Sequence, residues 1–214
     1  MTDVKITYIV PKREVLSEAD MKKWFSSQAY GDFLDFVFRI NTELTSKPNT
    51  ECGKPSENAT SVVEMLDLLE SWIADYPPIN DAKQRFGNKA FRDWHKRLTE
   101  CAVEILKALL DQKSAAAIEL APYLCDSFGN PTRIDYGTGH ESCFLMFLCC
   151  LFKLRFFVRT DYPAVGGIVF ERYLYLCRKL QQTYRIEPAG SHGVWSLDDY
   201  QFVPFLWGSA QFIS

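Results

Sequence analysis

The stretch from Asn88 to Leu109, NKAFRDWHKRLTECAVEILKAL, decides the fold class. Its apolar residues Phe91, Trp94, Leu98, Cys101, Ile105 and Leu109 step by three or four, so a 3.6-residue repeat lays them along one face. The spacing predicts a long amphipathic helix. Upstream, Val62, Met65, Leu66, Leu69, Trp72 and Ile73 form a second stripe, opened by the capping signature Ser61-x-x-Glu64 and closed by Pro77-Pro78. Earlier still, Ser17-x-x-Asp20 reads as another cap, followed by Phe33, Phe36, Val37, Ile40 and Leu44 at helical spacing. The polar run Thr45–Thr60, with Pro48, Gly53 and Pro55, has no period and is expected as a loop.

Downstream, an Ala-rich helix is expected from Ser114 to about Asp126, stopped by Gly129-Asn130-Pro131. Another opens at Gly137-Thr138-Gly139-His140-Glu141 and runs through the apolar segment Cys143–Phe152. A third covers roughly Pro163–Tyr184, with Val169, Tyr173, Leu176, Leu180 and Tyr184 on one side. Nowhere do alternating β-branched residues persist between hairpin turns. The expected architecture is all-α.

The chain has 214 residues, 47% of them apolar, with 24 Lys+Arg against 27 Asp+Glu and a formal charge of −3. At this length roughly 70% of the unfolded surface can be buried, so a core needs no disulfide or structural metal. The near-neutral balance lacks the basic field that non-specific nucleic-acid binding or a polybasic membrane contact requires. Neither nucleic acid nor membrane is an expected partner. The run Cys143–Phe152 is half the ~20 residues of a bilayer span and reads as a core helix. Met1 to Ile9 lacks the pattern of a signal peptide. Seven cysteines, an odd number with no CxxC pair, point to reduced thiols in a reducing compartment; the expected location is the cytoplasm, with the nucleus as a second one.

Two segments carry residues suited to chemistry. In Arg133-Ile134-Asp135-Tyr136-Gly137-Thr138-Gly139-His140-Glu141, the glycines allow close backbone approach, and the segment leads into a helix whose positive end favours an anion. Arg133 adds a forked guanidinium and Thr138 a hydroxyl, which makes a phosphate cradle. Thr138-x-x-Glu141 is equally a capping box that needs no ligand. The cradle is not a P-loop, because no Gly-Lys-Ser/Thr follows. The second segment is Asp198-Asp199 beside a Pro/Gly-rich loop: one aspartate with a loop carbonyl, such as that of Gly193, would hold Mg²⁺ on a nucleotide. The competing reading is that Asp198 or Asp199 caps a short helix beginning near Tyr200. His140 and Cys143 share a helix face without the four converging ligands of structural zinc, and no histidine stands at a recognisable spacing from a nucleophile. Trp195, Tyr200, Phe202, Phe205 and Trp207 crowd the last twenty residues as core contacts or as a protein-binding surface.

Residues 133–141 (RIDYGTGHE), 184–195 (YRIEPAGSHGVW), 197–209 (LDDYQFVPFLWGS) and 85–92 (RFGNKAFR), with Pro77-Pro78, closely resemble the phosphotyrosyl phosphatase activator family, the activators of serine/threonine protein phosphatase 2A. The resemblance extends over essentially the whole chain. It implies an all-helical activator domain over residues 1–214, with core and lid helices, that binds ATP and Mg²⁺ beside the surface meeting the phosphatase catalytic subunit. It also implies conversion of inactive phosphatase into its metal-loaded form, a composite ATPase site, and peptidyl-prolyl cis/trans isomerase activity on a proline-containing segment. The family's nucleotide contacts fall on Arg133, Thr138 and Gly139, and its magnesium contacts on Gly193 and Asp199. Residues catalysing isomerisation are not identified. Ser196 stands where the family usually has glycine. Family members continue past the Trp-Gly-Ser motif, so the C-terminal part of the domain is expected to be absent and an apolar patch to be exposed. The alternative is a non-catalytic helical adaptor that grips the phosphatase through the Trp195 loop without nucleotide.

Overall fold

The structure is a computed structural model and describes residues 7–80, 86–190, 195 and 197–213. Helix α1 (Glu18–Phe25) starts as its cap predicts: Ser17 Oγ accepts the Asp20 N–H at 3.3 Å. The apolar stripe belongs to the next helix, α2 (Gln28–Glu43), which Ser27 caps and which buries Phe36, Val37 and Ile40. Helix α3 (Glu57–Ser71) begins earlier than its signature suggests. Ser56 caps it, accepting from Ala59 N–H at 3.1 Å, while Ser61 lies inside and returns its hydroxyl to the Glu57 carbonyl. Pro55 accounts for the choice, since it disfavours helical backbone at Lys54 and marks a natural boundary just before Ser56.

Helix α4 (Ala90–Leu110) buries Phe91, Trp94 and Leu98 as expected, but then Ala102, Leu106 and Leu110. The expected Cys101, Ile105 and Leu109 flank that line and are half-buried. Helix α4 packs on α5 (Ala117–Asp126) as well as on α3 and α8 (Phe170–Tyr184), so its apolar face is broader than one stripe. Helix α6 (Thr138–Lys153) runs through the interior with Phe144, Phe147, Leu148 and Leu151 fully buried. Among the described residues no helix is long and apolar enough to cross a membrane.

The turn α7 (Tyr162–Ala164) passes through a π-helical turn, Val165–Val169, into α8. A Cβ on Gly166 would sit 2.4 Å from Ile40, and one on Gly167 would sit 2.2 Å from the Cys52 sulfur. The glycine pair therefore lets α2 and the Asn49–Glu51 turn press onto the π turn. All five predicted stripe residues of α8, Val169 to Tyr184, are inaccessible to solvent. The all-α expectation holds, with one small addition. Strand β1 (Asp135–Tyr136) pairs in parallel with β2 (Glu187–Pro188) in the register Asp135 to Glu187 and Tyr136 to Pro188. Two residues per strand are too few to leave an alternating pattern in sequence. Helix α9 (Val203–Gln211) lies against α2, with Trp207 edge-on to Phe170 and its indole N–H on the Val37 carbonyl. Phe212 and Ile213 beyond it are exposed.

Trp94 ties α4 into this core. It stacks on Phe91 at 5.9 Å, meets Phe128 edge-on at 5.6 Å and donates its indole N–H to the Leu69 carbonyl at 3.0 Å. Trp94→Ala is expected to cost about 3–5 kcal/mol of stability, read from guanidinium unfolding. A loss below about 1 kcal/mol would contradict this packing.

Candidate functional site

Three segments meet at the start of α6: the loop Asn130–Asp135, the strand pair, and the turn that precedes α9. Asn130 organises the first of them. Its side-chain oxygen accepts the Thr132 and Arg133 N–H groups at 2.9 and 3.0 Å, and its carbonyl accepts the Ile134 N–H at 2.7 Å. Ile134 takes a left-handed φ of 55° and packs against Gly87, where a Cβ would come within 2.7 Å of its side chain. Arg92 closes the loop from outside, donating from Nε to the Pro131 carbonyl and from Nη2 to the Thr132 carbonyl, both at 3.0 Å. These contacts give the Phe86–Arg92 motif a structural meaning: it buttresses the loop that carries Arg133.

Arg133 is exposed, and its Nε and Nη2 donate to the two Asp135 carboxylate oxygens at 2.5 and 3.0 Å. The carboxylate raises the guanidinium's pKa further. Asp135 itself is buried in β1. The strand pair then fixes the entrance to α6: Glu187 N–H donates to the Ile134 carbonyl and Ala189 N–H to the Tyr136 carbonyl. Below it Tyr136, Tyr173 and the Ser127 carbonyl form a buried hydrogen-bonded chain with both steps at 2.7 Å.

The capping-box reading of Thr138-x-x-Glu141 does not hold. Gly137 is the N-cap, and its carbonyl accepts from His140 and Glu141 N–H. Thr138 and Gly139 are the first two helical residues, both exposed, and among the described residues no carbonyl accepts their N–H groups. A Cβ on Gly139 would meet nothing within 4 Å, so that glycine faces open space. Two free N–H groups at the positive end of a 16-residue helix are a fit for phosphate oxygens.

Glu141 points elsewhere. It is buried, and its Oε2 accepts the N–H groups of Phe202 and Val203 at 2.9 and 3.1 Å, across the junction with α9. Sequence reasoning missed this role, and the signal was slight: a helix opening on Phe202-Val203-Pro204 supplies no capping oxygen of its own. Asp198 is the structural aspartate of the pair. Its Oδ1 accepts Tyr200 and Gln201 N–H at 2.7 and 2.8 Å, forming a turn rather than capping a helix at Tyr200, since α9 begins only at Val203. Asp199 is exposed and makes no hydrogen bond or ion pair among the described residues. Gly193, like Arg85 and Ser196, lies outside the described residues.

The structure thus brings Arg133, Thr138 and Gly139 to one helix entrance and holds the Asp198–Asp199 turn to it through Glu141 and through Tyr200, whose ring lies 6.5 Å from that of Tyr136. Among the described residues no three His, Cys, Asp or Glu side chains converge as a metal cage would require. A Mg²⁺ ion here would take a single carboxylate, Asp199, with phosphate and water oxygens, a set that suits this cation. A cleft of about 590 Å³ opens elsewhere, between α8 and α9, lined by Phe170, Tyr175, Arg178, Trp207 and Gly208 among others, and includes none of the cradle residues.

Fold and site together define an all-helical protein in which α6 opens on the exposed residues Thr138 and Gly139 beside the exposed Arg133. The family model described as "Phosphotyrosyl phosphate activator (PTPA) protein" matches residues 11–214, and the chain belongs to that family. It is 46% identical over 200 residues to the serine/threonine-protein phosphatase 2A activator of Drosophila melanogaster, covering 93% of this chain and 50% of that one. It is 42% identical over 207 residues to the probable serine/threonine-protein phosphatase 2A activator 1 of Dictyostelium discoideum, covering 96% of this chain and 63% of that one. The crystal structure of the PP2A phosphatase activator Ypa1 PTPA1 matches with a TM-score of 0.86 at 28% identity, covering 98% of this chain and 67% of that chain. The chain spans about half to two thirds of the length of these relatives.

Burial pushes the Glu141 carboxyl up from its ordinary 4.5 to about 7, against the two N–H donors that favour its charged form, and the Asp198 charge adds to the rise. The folded state therefore keeps a proton between about pH 4.5 and 7 that the unfolded chain has released. The resulting stability is fully present below 4.5 and gone above 7. Glu141→Gln is expected to remove this slope and to raise stability at pH 8 by up to about 3 kcal/mol, measured by guanidinium unfolding from pH 5 to 8. Identical slopes in the two proteins would refute the assignment.

Proposed function

We propose that the chain activates serine/threonine protein phosphatase 2A by holding ATP and Mg²⁺ at the α6 entrance beside the bound catalytic subunit. Family membership supports the activator reading, and one observation carries the nucleotide part: the free Thr138 and Gly139 N–H groups, the Arg133 guanidinium and the Asp198–Asp199 turn share one entrance. In this reading Thr138 and Gly139 donate to phosphate oxygens. Arg133 keeps its fork oriented by Asp135 and offers the Nη1 edge that Asp135 leaves free. Asp199 takes the cation. When bound, Mg-ATP supplies a phosphoanhydride and a divalent charge. Among the described residues nothing encloses it, so in this reading the site completes itself against the phosphatase and hydrolysis by the chain alone is weak. Trp195, 90% exposed, and Leu197 present an apolar knob three and one residues before the acidic turn, suited to a protein partner.

Prolyl cis/trans isomerisation belongs to the same proposal, supported by the family. It needs a groove that favours the twisted amide rather than an acid or base. The cleft between α8 and α9, with Tyr175 at its edge and Trp207 in its wall, has the aromatic lining that would receive a proline ring. The unpaired state of the cysteines supports placement in the cytoplasm or nucleus.

Arg133→Ala and Asp199→Ala are each expected to weaken ATP binding at least tenfold, about 1.4 kcal/mol, and to lower phosphatase activation in parallel. The measurement is calorimetric ATP titration with and without the catalytic subunit, beside an activation assay. Trp195→Ala is expected to weaken capture of the catalytic subunit while leaving ATP binding alone. If the parent shows no heat with ATP and still captures the phosphatase, the adaptor reading replaces this one. A protease-coupled assay on a proline peptide tests isomerisation: Tyr175→Ala should lower the rate, and a parent rate equal to the uncatalysed one ends that part.

A further inference from the structure

Four consecutive backbone N–H groups, those of Tyr200, Gln201, Phe202 and Val203, are all taken by carboxylate oxygens. The first two go to Asp198 in the same segment. The next two go to Glu141, which stands two residues after Gly139 and belongs to the opening turn of α6. The start of α9 needs a foreign acceptor, because its N-cap is Phe202, which has no side-chain oxygen, and Pro204 follows at its second position. Glu141 thus supplies, from another helix, the capping oxygen that Phe202 lacks. The same carboxylate therefore fixes the distance between the helix that carries the phosphate donors and the turn that carries Asp199.

We propose that Glu141 is the positioning residue of the nucleotide site, holding the Asp198–Asp199 turn in place against the Thr138–Gly139 donors. The proposal rests on the nucleotide reading above and adds to it a residue that touches neither phosphate nor cation: Glu141 is 1% exposed, and its second oxygen, Oε1, is buried without a hydrogen-bond partner. Gln201, in the same turn, is likewise buried with an unpartnered Nε2. The Tyr200 hydroxyl also donates to the Ile186 carbonyl at 2.9 Å, a link from the turn to the segment that leads into β2. Loss of the Glu141 bonds would leave the Asp198 turn internally intact but remove its hydrogen-bonded link to the first turn of α6. Its effect should therefore fall on the cation-dependent part of nucleotide binding.

The test measures the ATP dissociation constant with Mg²⁺ and with Mg²⁺ chelated, for the parent, Glu141→Ala, Glu141→Gln and Asp199→Ala. The expected result is that Asp199→Ala and Glu141→Ala each lose at least fivefold of the Mg²⁺-dependent gain while the metal-free constant stays within twofold. Glu141→Gln keeps an oxygen for both N–H groups and should retain the parent's gain. The double variant Glu141→Ala/Asp199→Ala should be no worse than Asp199→Ala. If Asp199→Ala loses the gain and Glu141→Ala keeps it, the positioning role is overturned and the nucleotide site stands. If Asp199→Ala keeps the gain, the site assignment itself falls and Glu141 has nothing to position. If Glu141→Ala loses metal-free binding together with its cooperative unfolding transition, or Glu141→Gln fails to retain the gain, the residue is a folding element only.

Discussion

A single buried carboxylate holds the working face of this molecule together. Glu141 lies in the first turn of α6 and spends one oxygen on two N–H groups at the start of another helix. Burying a charge is costly, and two charge-assisted hydrogen bonds at the positive end of α9 offset only part of that cost. The carboxyl therefore titrates near neutrality instead of near 4.5. An apolar residue at this position would avoid the desolvation but leave the Phe202 and Val203 N–H groups orphaned under the surface, which costs about 1–3 kcal/mol for each. The arrangement is a compromise in which one expensive group satisfies two donors that nothing nearby in sequence can reach.

The floor beneath that carboxylate is set by how closely the helices approach. Gly166 and Gly167 let α2 and the Asn49–Glu51 turn into space that any side chain would occupy, and the backbone there widens into a π turn. Immediately after it, Tyr173 stacks on Phe144 at 3.8 Å and hydrogen-bonds Tyr136 of β1. The same helix therefore packs the core and orients the strand that leads into the cradle. Desolvation raises the pKa of both phenols well above 10, so the chain from Tyr136 to the Ser127 carbonyl stays neutral and rigid across the physiological range.

Much of the core was legible because it repeats. Val169, Tyr173, Leu176, Leu180 and Tyr184 keep one helical line for four turns, and the α3 stripe from Val62 to Ile73 is buried as spacing predicts. Where the reading slipped, a second constraint was acting. Ser56 and Ser61 are equally good caps by residue type, and Pro55 decides between them through backbone geometry. In α4 the burial line passes through Ala102, whose small side chain carries little weight in a hydrophobic pattern yet lies at the helix contact. The cradle was legible as composition, with Arg133, Thr138 and Gly139 in one segment, but its wiring was not. Glu141 meets its partners 61 and 62 residues away, and no local period records such a contact.

The Arg133–Asp135 pair is the part of the cradle whose physics is least obvious. Held in a two-point fork by a carboxylate, a guanidinium would be expected to have nothing left for phosphate. Yet the Arg133 side chain is 60% exposed while that of Asp135 is only 12% exposed, so the guanidinium keeps contact with solvent while its partner carboxylate is anchored inside. In the proposed nucleotide site, a phosphate held by the Thr138 and Gly139 N–H groups would compete for the exposed side of the guanidinium. Asp135 is buried and fixed in the strand, so it can move neither toward nor away from the ligand. It acts as a rail that limits the rotamers Arg133 visits and engages Nε and Nη2 but not Nη1. The side-chain entropy that a free arginine would lose on binding is then partly lost already on folding.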